Sequence, residues 1–302
     1  MGLIKEIPYI SNRLGWPWTE ETTPKIYKKH IKYPKISIVI PSYNQENYIE
    51  ETIRSVLLQN YPNLELIIID GGSDDGTINI LNIYNKWISY WVSEKDKGQG
   101  DALNKGFKIA TGDLIGWQNS DDIYLDKAFH HVAETYFKKP HSDILYGYIY
   151  HINNQSSIIN KLYFAPFSFF VLKYYDINIG SQAIFFKHDV IKTYEIDSSY
   201  FFTMDAEYYF RLASNGLKFS LIPRFIGSFR IQQNSKTTNY LDISKKETNT
   251  VRRKYGVNVI DTKPWNKQFK LKKCIAILYM LPFKILNGGL FYYIKKRISL
   301  DK

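Results

Sequence analysis

Ile36-Ser37-Ile38-Val39-Ile40-Pro41-Ser42-Tyr43-Asn44 begins as an unbroken, β-branched apolar run and ends on a proline and polar residues. Such a run suits a buried strand whose hydrogen-bond ladder stops where proline withdraws its N–H. The residues that follow repeat one cycle. Ile49, Ile53, Val56 and Leu57 recur at helical spacing until Tyr61-Pro62-Asn63 breaks the stripe, and Leu64 to Ile69 forms a second apolar strand running into Asp70. A Gly- and Asp-rich turn from Gly71 to Gly76 precedes a helix striped by Ile80, Ile83, Tyr84 and Trp87, then a strand over Ser89 to Val92. A last round places a helix on Leu103, Phe107 and Ala110, a turn on Thr111-Gly112-Asp113 and a strand on Leu114 to Trp117. Strand and helix alternating at this length predict an α/β domain with a mainly parallel sheet, because parallel neighbours need crossover connections.

Ligands of such sheets gather at the carboxyl ends of strands, which nominates Pro41 to Asn44, Asp70 to Gly76, Glu94 to Asp101 and Asn119 to Asp122. Asn119-Ser120-Asp121-Asp122 puts two adjacent carboxylates after an apolar strand, where leaving them unpaired is costly. A divalent cation resolves that cost, and oxygen-only ligands suit Mg²⁺ or Mn²⁺ rather than Zn²⁺. Helix capping by Ser120 or Asp121 is the competing reading. Asp70 to Thr77 is equally a turn that needs glycine and Asx bonds. No G-x-G-x-x-G follows the first strand and no glycine-rich turn ends in Gly-Lys-Ser or Gly-Lys-Thr, which disfavours a nicotinamide enzyme and a P-loop ATPase.

Composition bounds the partners. With 302 residues and 44% hydrophobic side chains the chain can bury a sizeable core, and its single cysteine, Cys274, permits no intrachain disulfide. A cytoplasmic location, peripheral at the inner face of a membrane, is the expectation. Of the formal +11 charge, +9 falls on residues 263–302, with ten Lys or Arg against Asp301 alone. The nearly balanced body argues against nucleic acid as partner, which would need a basic face on the folded core.

Taken in order, these segments resemble the family-2 glycosyltransferases, which share the glycosyltransferase A-type fold. Ile38 to Asn44 looks like the family's opening strand, Asp70 to Thr77 like its nucleotide-binding turn, Asp96 to Gly106 like its donor-side segment, and Asn119 to Asp122 like its D-x-D equivalent. The resemblance covers about residues 35–235. It implies an inverting transferase that moves a sugar from a nucleotide-sugar donor to an acceptor hydroxyl, UDP being the commonest nucleotide in the family. Carried over, Pro41, Tyr43 and Asn44 line the nucleotide pocket, Asp70 meets the base, Asp121 lies beside ribose or sugar, and Asp101 and Lys105 contact the donor. Asp122 is then the ligand of Mn²⁺ or Mg²⁺. Phe202 to Leu212 resembles the E-D-x-D-L-x-x-R-L region, so Asp205 is the implied catalytic base and Glu207 its fallback on the acceptor side. Ile179 to Ala183 resembles the acceptor-facing segment, with Gln182 the candidate contact. Phe229 to Gln232 stands where relatives often have Arg-x-His, leaving Gln232 to approach the metal.

The domain reading is therefore a lead-in over 1–34 packed on the domain, a catalytic domain over 35–235 and a basic, aromatic, helical extension over 236–302. Within that extension Cys274 to Phe283 and Ile285 to Ile294 are two uncharged stretches separated by Lys284. Neither reaches the ~20 apolar residues of a membrane span, and an interfacial segment over 265–302 on an anionic membrane is expected. The implied acceptor is a surface polysaccharide or lipid-linked saccharide. Two other readings compete: a nucleotidyltransferase, for which Ser42 to Glu46 lacks the glycine-rich basic loop, and a catalytically weak, carbohydrate-binding scaffold of a glycan assembly complex.

Overall fold

The computed structural model describes residues 2–175, 179–232, 241–257 and 267–286. The expected cycle is present: β1 Ile36–Ser42, α1 Ile49–Leu57, β2 Leu64–Asp70, α2 Thr77–Tyr84, β3 Tyr90–Ser93, α3 Gln99–Ile109 and β4 Leu114–Trp117. All seven residues of β1 are buried, as a central parallel strand covered on both faces requires. Strands β3, β2, β1 and β4 lie side by side and parallel, with Ile38 opposite Leu66 on one side and Gly116 on the other. Helix α3 lies close against β1 because residue 106 is glycine; a Cβ there would collide with Val39.

The second half adds α4 Ala128–Lys138, β5 Ile144–Ile152, β6 Ile158–Leu162, α5 Phe169–Tyr174, β7 Ile184–Lys187, α6 His188–Thr193, α7 Met204–Ser214 and β8 Phe219–Arg230. β7 pairs antiparallel with β4 and with the start of β5, β6 continues along the same edge of β5, and β8 runs parallel on its other edge. The β5–β8 register slips between Gly147 and Tyr148, next to Pro223 and Arg224, which fits a proline that cannot donate to a ladder. The result is one mainly parallel, eight-stranded sheet inside helical layers.

The lead-in contributes side chains to the buried interior. Ile7, Trp18 and Tyr27 are buried, and the guanidinium of buried Arg54 donates to the carbonyls of Pro8, Pro17 and Trp18 and to the Tyr84 hydroxyl. Two further helices, α8 Leu241–Lys254 and α9 Lys267–Leu286, supply the helical C-terminal part. The expected boundary at residue 235 does not separate them as one appendage. Glu247 of α8 accepts hydrogen bonds from the backbone N–H groups of Phe201, Phe202 and Thr203, and Val251 belongs to the main core. The remainder of the expected interfacial segment, 265–266 and 287–302, lies outside the described residues.

Candidate functional site

The turns after β1, β2, β3 and β4 all open on the carboxyl edge of the parallel strands, and a cavity of about 960 Å³ lies there. Its sheet-side wall includes Pro41, Ser42, Tyr43, Gly71, Lys95, Asp96, Gln99, Asn119 and Asp121. Its far wall includes Gln182, Phe201 to Ala206 at the start of α7, Phe229, Arg230 and Gln232 at the end of β8, and Thr248, Val251 and Arg252 of α8. Of the nominated residues, Pro41, Tyr43, Asp121, Gln182, Asp205 and Gln232 are brought together on this one surface.

The two adjacent aspartates part company. Asp122 is wholly buried, with Oδ1 accepting the Arg230 backbone N–H at 2.7 Å and Oδ2 accepting the Asn119 amide at 2.9 Å. Gln182 also hydrogen-bonds it. Burial pushes its pKa well above the ordinary range, and the charge of Asp121 adds to the rise. Asp122 is absent from the cavity wall, so its assignment as metal ligand is corrected: its carboxylate ties the β4 turn to the end of β8. Asp121 faces the cavity instead, Oδ2 accepting from the Gln232 amide at 2.7 Å. Burial raises its pKa too, against the opposing pull of the Arg230 charge and the Gln232 hydrogen bond.

Arg230 holds this corner rigid. Its fully buried guanidinium donates to the Asp121 carbonyl, the Asn153 carbonyl and the Ser156 hydroxyl, and pairs with Glu51 at 2.9 Å. Asn119 accepts from the Trp117 indole and the Gln99 amide while donating to Asp122, so α3 and β4 are cross-linked beneath the cavity floor.

Several expectations are corrected by where the side chains go. The Asp70 carboxylate accepts from the N–H groups of Gly72 and Ser73 and the hydroxyls of Ser73 and Ser93, which makes it the organiser of the turn rather than a wall of the cavity. The side chain of Asn44 exchanges hydrogen bonds with Asp74 and likewise holds loop to loop. Lys105 pairs with Glu94 and Asp101 on the surface, away from the cavity lining. Glu207 is buried behind α7, bound by Arg211, Lys254 and the Tyr255 hydroxyl, so it does not stand in for a base on the acceptor side.

Asp205 sits in the first turn of α7, where the unpaired N–H groups favour a negative charge; the Ala206 N–H donates to its Oδ1 at 2.7 Å. Sequence reasoning placed Ser42 and Lys95 in nominated turns without singling them out, although the buried Ser42 hydroxyl lines the cavity with no hydrogen-bond partner in the protein, and it missed Glu247. Ser42 carried a usable signal in its place at the strand end. Glu247 carried none, since its role is set by tertiary contact.

A divalent cation fits the donor set. Asp121 and, with its plane reversed, the amide oxygen of Gln232 would be its oxygen ligands at one edge of the cavity, whereas the Asn119 amide oxygen is already taken by the Trp117 indole and the Gln99 amide. No group of three or more His, Cys, Asp or Glu side chains able to hold a metal occurs among the described residues, so most of the shell would come from diphosphate and water.

A mainly parallel sheet with an acidic turn at its carboxyl edge and a cavity closed by later helices is the glycosyltransferase A-type architecture. The structure of Staphylococcus aureus TarS residues 1–349 in complex with UDP-GlcNAc superposes with a TM-score of 0.57 at 17% identity, over 81% of this chain and 72% of that one. The mannosyltransferase PcManGT from Pyrobaculum calidifontis, in complex with GDP-Man and Mn²⁺, gives 0.56 at 14% identity, over 86% and 75%. The glycosyl transferase family 2 model matches residues 37–202, and the chain belongs to that family. Among curated relatives, an uncharacterized glycosyltransferase of Rickettsia typhi is 36% identical over 46% of this chain and 42% of its own. The UDP-Glc:α-D-GlcNAc-diphosphoundecaprenol β-1,3-glucosyltransferase WfgD of Escherichia coli is 36% identical over 43% of this chain and 51% of its own. The matches thus span about half or less of these relatives' lengths.

Proposed function

We propose that the protein transfers a sugar from a nucleotide-sugar donor, a UDP-sugar, to an acceptor hydroxyl with inversion at the anomeric carbon. The observation that carries this reading is the convergence of Asp121 and Asp205, from two separate elements, on one cavity at the carboxyl edge of the sheet. Tyr43, 60% exposed at the cavity rim, offers a ring face to the base, and Pro41 and Ser42 line the floor beside it. Asp121, with Gln232, would hold Mn²⁺ or Mg²⁺, and the ion would supply positive charge to offset that of the departing diphosphate. Lys95 brings a further cation to the same wall.

An alcohol is a poor nucleophile at neutral pH, and the Asp205 carboxylate accepts its proton as the new bond forms. That carboxylate lies in the first turn of α7, where the helix dipole favours negative charge. Held in line with the leaving group, the acceptor displaces it in one step, which inverts configuration. Phe201, Phe202 and Phe229 give the far wall apolar faces suited to stacking on a sugar ring, in line with a glycan or lipid-linked saccharide as acceptor. WfgD, by its name, acts on a diphosphoundecaprenol-linked acceptor, and this supports the same class here.

Release of nucleoside diphosphate from a panel of UDP-, GDP- and dTDP-sugars, with and without chelator, tests the reading. Turnover of one donor that chelator abolishes is the expected outcome. A chain that binds glycans but releases no diphosphate from any donor would favour the scaffold alternative.

A further inference from the structure

Helix α9 reads KQFKLKKCIAILYMLPFKIL and is apolar on two faces rather than one. Its inner face is occupied: Ala276 and Met280 are buried against Ala165 and Val171, with Phe283 packed beside them, and Phe269 meets Tyr174 edge-on. Its outer face carries Leu271, Ile275, Leu278, Leu281 and Ile285, each between 38% and 64% exposed. These positions fall at i, i+4, i+7, i+10 and i+14, on one side of a helix, and make a stripe ~21 Å long. A stripe of that length and composition, left in water, marks a contact surface.

The charges around the stripe select what covers it. Lys270 and Lys272 stand exposed near its start, a further lysine follows near its end, and the helix contains no acidic residue. A second copy of the chain stacked helix on helix would set lysines against lysines in the parallel arrangement and against the other basic end in the antiparallel one, with no carboxylate on the helix to neutralise them. An anionic lipid surface meets both demands at once, phosphates for the lysines and acyl chains for the stripe. No helix among the described residues is long and apolar enough to cross a membrane, so the contact is lateral.

We propose that α9 docks the protein on an anionic bilayer, with its leucine and isoleucine stripe at the acyl boundary and Lys270 and Lys272 among the headgroups. The inner face of α9 packs on Val171 of α5, whose neighbour Leu172 lines the cavity. The proposal stands on α9 alone and is independent of the roles given to Asp121 and Asp205.

Flotation of the full chain with phosphatidylcholine vesicles, with and without about 30% phosphatidylglycerol, tests it. The expected result is binding at least ~10-fold stronger to the anionic vesicles, lost in L271Q/L278Q and weakened by salt and by K270E. All three positions are exposed, so thermal midpoints and diphosphate release from a water-soluble donor stay at the level of the unaltered chain. A full chain that ignores anionic vesicles, or an L271Q/L278Q chain that floats equally well, overturns the proposal. A dimer in light scattering that L271Q/L278Q converts to monomer assigns the stripe to a second copy and overturns it as well. Absence of diphosphate release from the unaltered chain counts against the site reading and leaves the flotation result to stand.

Discussion

At the scale of single residues, the Asp121–Asp122 pair yields the sharpest test, because neighbours in sequence do opposite work. Asp121→Asn is expected to lower diphosphate release by about 100-fold or more, since the charge facing the donor is lost, while the thermal midpoint holds or rises because a buried charge is relieved. Asp122→Ala leaves the Arg230 N–H and the Asn119 amide without their acceptor and is expected to cost about 1–3 kcal/mol of stability, read by denaturant titration. Asp205→Asn is expected to reduce turnover about 10²- to 10⁴-fold with donor binding retained, measured by calorimetry. A residue remote from the cavity governs acid behaviour. Burial pushes Glu65 up, but hydrogen bonds from Lys35, Ser37 and Thr111 overcome this and hold it at about 2, below its ordinary 4.5. Because the folded value is the lower one, its contribution is complete above pH 4.5 and is lost as pH falls toward 2. Glu65→Gln is expected to flatten that part of the stability profile and to cost about 1 kcal/mol at pH 7, screening included. Sequence exposed the acidic turn but not which carboxylate turns inward. Nothing in Asn119-Ser120-Asp121-Asp122 records that the Arg230 amide, from a distant strand, claims the second aspartate.

At the scale of elements, the first four strands and three helices were legible because each is a local pattern: a short run rich in apolar residues, or a stripe at helical spacing, bounded by turn residues. The second half was not, since β5 takes partners on both edges from β6, β7 and β8, and that choice is tertiary. The same limit hid α8. Its sequence, LDISKKETNTVRRK, is polar enough to pass for a solvated helix, yet Glu247 satisfies three N–H groups just ahead of Asp205. One donor is the N–H of the N-cap Thr203 and the other two are those of the two residues before it, so fixing them fixes the direction in which the chain enters α7 and presents its first-turn carboxylate. Glu247→Ala is expected to reduce kcat about 10-fold or more with donor KM changed less than twofold, since a misplaced base slows chemistry without touching the nucleotide pocket. Steady-state kinetics against donor concentration separates the two. An equal rise in KM would mean that α8 shapes the donor site instead.

At the scale of the whole molecule, the wall of the cavity extends beyond the segment that the motifs mark. Ser244, Thr248, Val251 and Arg252 close the cavity from the far side, and Lys254 and Tyr255 clamp Glu207 at the back of α7. A chain ending at residue 235 removes a wall of the cavity and the cap on α7, and leaves the buried Glu207 carboxylate without two of its three partners. A chain ending at residue 257 keeps all of these and, of the described elements, loses only α9, at the cost of exposing Ala165 and Val171. The shorter chain is therefore expected to lose diphosphate release and to unfold at much lower denaturant concentration. The longer one is expected to retain release from a soluble donor within about threefold and to fall about 1–3 kcal/mol in stability, the cost of uncovering two small apolar side chains. Both quantities come from one pair of truncations, by coupled diphosphate assay and urea titration. Equal activity in the two chains would remove α8 from the catalytic unit and return the boundary to residue 235; equal loss would make α9 a structural part of the fold rather than the surface by which it meets lipid.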